Sequence, residues 1–259
     1  MSPASRRVAH IMGMPITVAL RGRHADDDAG RAAWSGVMGL LQDVDRRFST
    51  YRTDSEISRL NRGDLRIDEA SPEVAQVLTI GEQARVASAG AFDVWLPGPD
   101  GTRRLDPCGL VKGWAIERAA ELLEPLDDTD FCLSAGGDMV CRSRTPDSVG
   151  WRIGIEDPHD TSRLVAVLPM TNGAVATSGT AHRGAHLVDA RTGRVPNGVA
   201  SVTVVTASLT WADIDATAAY AHGADAARWL ETRRDRTALV VWDDGTTSTV
   251  RTEARPAAA

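Results

Sequence analysis

Residues 131–142, FCLSAGGDMVCR, consist of two short apolar runs broken by Gly-Gly-Asp. Paired glycines between β-rich runs signal a hairpin turn or a bulge, so this stretch predicts strands in contact with one another. The same texture continues downstream. WRIGIEDP (151–158), RLVAVLPM (163–170), GAVATSG (173–179) and SVTVVTA (201–207) are strand-length runs separated by Gly, Pro, Asn and Asp turn signals.

Upstream of this block helical spacing takes over. A first strand, MPITVAL (14–20), precedes Trp34, Val37, Met38, Leu41 and Val44, which recur with the period of a helix. The hydroxyl-rich segment 46–63 predicts a loop and a short helix capped by Asp54 or Ser55. Ser71-Pro72-Glu73 reads as the start of a further helix that Gly90 ends. In 105–123, Ile116, Ala119, Ala120 and Leu123 share one face, which places the polar opening LDPCG at a helix N-terminus. Ser208 leads into a helix containing ADIDAT, followed by a short helix at 224–232 and strands at 238–242 and near 247–251. Irregular alternation of helices and antiparallel-looking strands predicts the α+β class, with mixed, largely antiparallel sheets packed with helices. Without a repeat or a linker, the expected organisation is one domain over 10–252, a flexible N-terminus at 1–9 and a disordered tail at 253–259.

Composition narrows the function. An apolar share of 42% in 259 residues is ample for a core. The formal charge of −6 is spread over interleaved acids and bases, which argues against a nucleic-acid surface or a polybasic membrane patch. Cys108, Cys132 and Cys141 fit neither a disulfide framework nor a zinc knuckle. The apolar run after Arg6 and Arg7 is interrupted by His10 and Pro15, and no later run approaches the roughly 20 residues a membrane helix needs. The expected location is cytoplasmic, with no membrane anchor.

Polar chemistry concentrates at 176–193, ATSGTAHRGAHLVDARTG, where hydroxyls, two histidines, an aspartate and glycines interrupt apolar flanks. Asp213 and Thr217 lie four residues apart, so both oxygens occupy one helical face and suit Mg²⁺; a cap and a back-bonded threonine would give the same spacing. Asp215 points elsewhere on that helix. The opening of the 105–123 helix offers backbone groups and Lys112 to a diphosphate. Neither GxxxxGK[ST] nor GxGxxG is present.

The ordered set MGM (12–14), FSTYRTDSEISRLN (48–61), GAFD (90–93), LDPCGLVKG (105–113), SAGGD (134–138), WRIGIEDP (151–158), ATSG (176–179), HLVDARTG (186–193) and ADIDAT (212–217) resembles the ApbE family of FAD:protein FMN transferases. That resemblance implies transfer of FMN from FAD to a Thr or Ser hydroxyl of a target flavoprotein, with Mg²⁺ and release of AMP. An FAD pyrophosphatase or a non-catalytic FAD-binding protein are the alternatives. By the same resemblance, Met12, Tyr51, Ala91, Phe92, Asp93, Asp106, Lys112 and Leu187 line the FAD site. Gly109 offers its carbonyl to the metal, Asp213 and Thr217 are the side-chain ligands, and His186 is the catalytic base, with Asp189 or a carbonyl orienting it. Three departures stand out: DPCG replaces DLGG, Ala190 replaces the proline of HxxDP, and MGM replaces MGT.

Overall fold

In a computed structural model, residues 4–98, 101–179 and 187–253 are described. The chain opens with a hairpin of β1 (Ser5–Ile11) and β2 (Met14–Gly22), joined by Met12 and Gly13 at φ 56° and 71°. Two left-handed residues make the tight turn whose twist matches the strands, and Met12 occupies a region that non-glycine residues rarely adopt. This corrects the expectation of a flexible terminus over 1–9, since Ser5 to Ile11 pair in register with Leu20 to Met14. β1 is an edge strand held by its backbone ladder and by Arg7 donating to the Ala25 carbonyl at 3.0 Å. Its charged, half-exposed pattern therefore lacks the apolar signature of a core strand.

Helix α1 (Asp28–Phe48) buries Val37, Leu41, Val44 and Phe48 and is capped by the Asp27 carboxylate, which accepts from Gly30 N at 2.9 Å. α2 (Glu56–Arg62) starts at Ser55, which accepts from Ser58 N at 3.0 Å, and stops at left-handed Gly63. α3 (Pro72–Ala87) begins with its proline as expected, although Ser71 makes no side-chain cap. A short hairpin, β3 (Trp95–Pro97) and β4 (Arg103–Leu105), leads into α4 (Cys108–Glu121).

The second half supplies β5 (Thr129–Ala135), β6 (Asp138–Arg142), β7 (Trp151–Asp157), β8 (Asp160–Met170), β9 (Gly173–Gly179) and β10 (Val199–Thr206). After these come α5 (Leu209–Ala221), α6 (Ala226–Glu231), β11 (Thr237–Trp242) and β12 (Thr247–Arg251). Of the hairpin turn and the bulge that the sequence leaves open, the structure has the turn: Gly136 and Gly137, at φ 55° and 96°, join β5 to β6. The main sheet has the order β1-β2-β5-β6-β9-β10-β11-β12, and each of its described pairs is antiparallel. It consists of two four-stranded antiparallel halves that meet where β6 and β9 pair over three positions.

Alternation along the strands divides their side chains between two layers. Val18, Leu20, Val140, Ala174, Val202 and Val240 join the large core beneath the helices, whereas Ala19, Cys141 and Val175 face the β7–β8 ribbon through Trp151, Ile153 and Ile155. Helix α5 lies in the large core and is buried nearly all round, so Asp213 and Asp215 are both drawn into the interior. Asp215 is held there by Arg233 at 3.0 Å and Arg236 at 2.6 Å, which makes it a structural clamp.

Candidate active site

Two glycines one turn apart bring α4 against α5. A Cβ on Gly113 would stand 2.8 Å from both the Asp213 Cβ and the Leu209 carbonyl oxygen. One on Gly109 would approach the Phe92 ring at 3.3 Å and the Thr217 methyl at 3.9 Å. Ascending from 109 to 113 on one helix thus matches descending from 217 to 213 on the other, and the helices run antiparallel along a seam without side chains on the α4 side. The spacing that places Asp213 and Thr217 on one face of α5 has its counterpart in Gly109 and Gly113 on α4.

Asp213 is 2% exposed, and its Oδ2 accepts from Gly113 N at 2.9 Å. That amide is the one whose regular helical partner is the Gly109 carbonyl, so the Asp213 carboxylate and the Gly109 oxygen are acceptors for the same N–H. Lys112 Nζ lies 3.4 Å from Asp213 Oδ1 and 2.6 Å from Asp138 Oδ2. Asp138 is fully buried, and its Oδ1 accepts from Thr177 N at 3.1 Å. Burial pushes the Asp213 carboxyl up to about 7, against the pull of Lys112 and with the Asp138 charge adding to the rise. Two carboxylates against one ammonium leave a formal negative charge when all three are ionised. Thr217 Oγ1 shares a hydrogen bond with Ser178 Oγ at 3.0 Å. One carboxylate, one hydroxyl and a backbone carbonyl in a buried setting form a hard-oxygen donor set that fits Mg²⁺.

Beside this joint, the GAFD segment forms a wall. Ala91 and Phe92 are buried, and the Ala91 carbonyl accepts from Ala190 N at 3.1 Å, which ties GAFD to the end of the HLVDA motif. Asp93 accepts from Trp95 N at 2.8 Å and pairs with Arg103. Asp106 accepts from Cys108 N at 3.1 Å at the opening of α4. On the other side of Asp106 is a groove of about 950 Å³, whose lining includes Tyr51, Arg52, Asn61, Arg103 and Arg104. That volume suits a large organic ligand. Tyr51 is 96% exposed at its rim, and Thr50 Oγ1 stands 3.9 Å from Cys108 Sγ between the groove and α4.

A model of the ApbE family matches residues 12–97 and 96–241. The chain belongs to the ApbE family. Among relatives, the FAD:protein FMN transferase of Vibrio cholerae is 28% identical over 67% of this chain and 68% of its own length. That of Haemophilus influenzae is 25% identical over 74% and 72%. The fold agrees with that of the ApbE protein of Thermotoga maritima, at TM-score 0.80 and 19% identity over 95% of this chain and 96% of that one. The flavinyl transferase ApbE of Pseudomonas stutzeri gives 0.80 at 22% identity over 96% and 95%.

Measured against the residues that the ApbE resemblance singled out, the structure gathers Gly109, Lys112, Asp213, Thr217 and Phe92 at one joint. Asp106 and Tyr51 lie at the adjoining groove, while Leu187 and Met12 are half-buried against the large core. His186 lies outside the described residues. Asp189 accepts from the Arg191 guanidinium at 2.8 and 2.9 Å, and its expected contact with His186 lies outside the described residues. Thr177-Ser178-Gly179, expected as a ligand-facing turn, is the end of strand β9, from which Ser178 reaches Thr217. Asp138, by contrast, was missed as a site residue. It lies inside a motif used for the ApbE comparison, SAGGD, but an aspartate after two glycines reads first as turn chemistry. Only the burial of its carboxylate against Lys112 sets it apart.

Proposed function

We propose that this chain is a Mg²⁺-dependent transferase that moves FMN from FAD to a Thr or Ser hydroxyl of a target flavoprotein and releases AMP. The observation that carries this reading is the α4–α5 joint, where Lys112, Asp213, Thr217 and the Gly109 backbone converge within a chain of the ApbE family. The names of the Vibrio and Haemophilus relatives support FAD as donor and a protein as acceptor.

In this reading the acceptor hydroxyl oxygen attacks the FMN-side phosphorus of FAD. The bond from that phosphorus to the bridging oxygen breaks, and AMP departs with the bridging oxygen. His186 takes the proton from the attacking hydroxyl, since an imidazole titrates near neutral pH. Lys112 faces the diphosphate oxygens, and the N-terminal end of α4 adds the positive pole of its dipole. Phe92 supplies a dry wall, and Tyr51 stacks its exposed ring on a flat ring of the donor. Mg²⁺ held by Asp213, Thr217 and the Gly109 carbonyl would neutralise charge developing on the phosphoryl oxygens.

Among the described residues no helix is long and apolar enough to cross a membrane. We assign the protein to the cytoplasm, with a flavoprotein of that compartment as acceptor. The test is incubation with FAD, MgCl₂ and an acceptor flavoprotein, followed by mass spectrometry of the acceptor. Covalent FMN that disappears with His186→Ala is the expected result. Release of FMN and AMP at the same rate without acceptor would make the chain an FAD pyrophosphatase, and FAD binding with no AMP release would make it a flavin-binding protein.

A further inference from the structure

We infer that Asp138 is a positioning residue that holds Lys112 in place for the donor diphosphate, an assignment that rests on the proposed role of Lys112. A turn aspartate ordinarily keeps its carboxylate in water. Asp138 instead opens β6 directly after the Gly136-Gly137 turn with its side chain fully buried. Both of its oxygens are engaged, Oδ1 by Thr177 N on β9 at 3.1 Å and Oδ2 by Lys112 Nζ at 2.6 Å. The backbone contact fixes the carboxylate to the sheet, so the anchor for the ammonium is rigid although the lysine stem is not.

The consequence follows from the two distances at Nζ. The ammonium is closer to Asp138 than to Asp213, at 2.6 against 3.4 Å. If the Asp138 charge is removed, Asp213 remains as the carboxylate beside the ammonium, and attraction at short range in a buried site draws Lys112 onto it. Lys112 would then leave the place where a diphosphate meets it, and it would close the Asp213 oxygen against a divalent cation. With Asp138 present, two carboxylates serve two cations, one being the ammonium and the other the metal.

The experiment uses the full chain in four forms: wild type, Asp138→Asn, Lys112→Met and the double variant. Asparagine preserves an oxygen for the Thr177 amide, and thermal melting checks the fold of each form. FAD binding is read by flavin fluorescence, and Mn²⁺ binding to the FAD-free protein is read by electron paramagnetic resonance. Asp138→Asn is expected to weaken both FAD and Mn²⁺ about tenfold, the scale of one charge-assisted hydrogen bond. Lys112→Met weakens FAD by a similar factor and leaves Mn²⁺ binding intact. The double variant regains the Mn²⁺ affinity of Lys112→Met and loses no further FAD affinity, because a residue acting through Lys112 has nothing to position once Lys112 is gone. A merely structural aspartate would not give that rescue.

Wild-type affinities for both ligands in a folded Asp138→Asn, beside a weakened Lys112→Met, would overturn the role of Asp138 alone. Unchanged FAD binding in Lys112→Met would instead remove the proposed reading of Lys112. If Asp138→Asn does not fold, the double variant, which carries no buried charge at either position, is compared with Lys112→Met. A further tenfold loss of FAD affinity there would refute positioning.

Discussion

Asp213 can stand where it does because residue 113 has no side chain: the Gly113 amide donates to its carboxylate at 2.9 Å, and a Cβ there would lie 2.8 Å from the Cβ of Asp213. The glycine therefore sets the approach of two helices and supplies a hydrogen bond to the residue it faces.

Replacing Gly113 by alanine forces α4 away from α5. The expected loss is about 1–3 kcal/mol, the range for overpacking a close-packed interior. At roughly 2–4 °C per kcal/mol for a chain of this size, differential scanning calorimetry should show the melting temperature fall by several degrees. Mn²⁺ binding should weaken in the same variant, because the Asp213 carboxylate moves with the helix.

Asp213→Asn separates stability from chemistry. A neutral amide in this position escapes the cost of burying a charge, the burial that pushes the carboxyl up to about 7. The metal-free variant should melt no lower than the wild type. FMN transfer, followed by mass spectrometry of the acceptor, should fall at least ~100-fold, the scale seen when a preorganised electrostatic group is removed. A variant that keeps wild-type transfer would exclude Asp213 from the metal site.

Asp215 gives the opposite result. Its carboxylate is buried between Arg233 and Arg236 at 3.0 and 2.6 Å, and alanine there strands two guanidinium groups. The expected cost is about 3–5 kcal/mol, as for a broken buried ion pair. Urea denaturation should register this loss. At temperatures where the variant is folded, its Mn²⁺ affinity should match the wild type.

His24 confers a pH dependence on stability. Hydrogen bonds to Asp127 at 2.7 Å and to Asp27 at 2.8 Å raise its pKa above the ordinary value of 6.5. A histidine raised in the folded state contributes stability that is fully present below its unfolded pKa and is lost as the pH climbs through the folded one. The difference in melting temperature between wild type and His24→Ala should accordingly be largest near pH 5.5 and shrink towards pH 8.5. A constant difference across that range would show that the imidazole contributes by packing alone.

What could be read from the sequence was what neighbouring residues encode. A turn or bulge between β5 and β6 followed from the two glycines there, α2 from the Ser55 cap, and the shared face of Asp213 and Thr217 from their spacing. The expected flexible terminus cut into β1, because an edge strand that opens Ser-Arg-Arg has little apolar signature. The seam between α4 and α5 was invisible for a different reason. Gly113 and Asp213 are separated by 100 residues, and no local pattern states that a small residue on one helix faces a particular residue on another. The role of Asp138 is of the same kind, since it depends on a lysine from α4 reaching the end of a hairpin.

The two halves of the main sheet are in register at only three positions, Met139 with Val175, Val140 with Ala174 and Cys141 with Gly173. Just beyond that short zipper the Asp138 carboxylate grips the Thr177 amide, and one strand residue further on Ser178 reaches Thr217. The groups proposed to handle the donor are therefore also the rivets between the two halves of the molecule. A ligand seated there would clamp a mechanical joint, and slower amide exchange along β6 and β9 would record the clamping in the absence of any turnover.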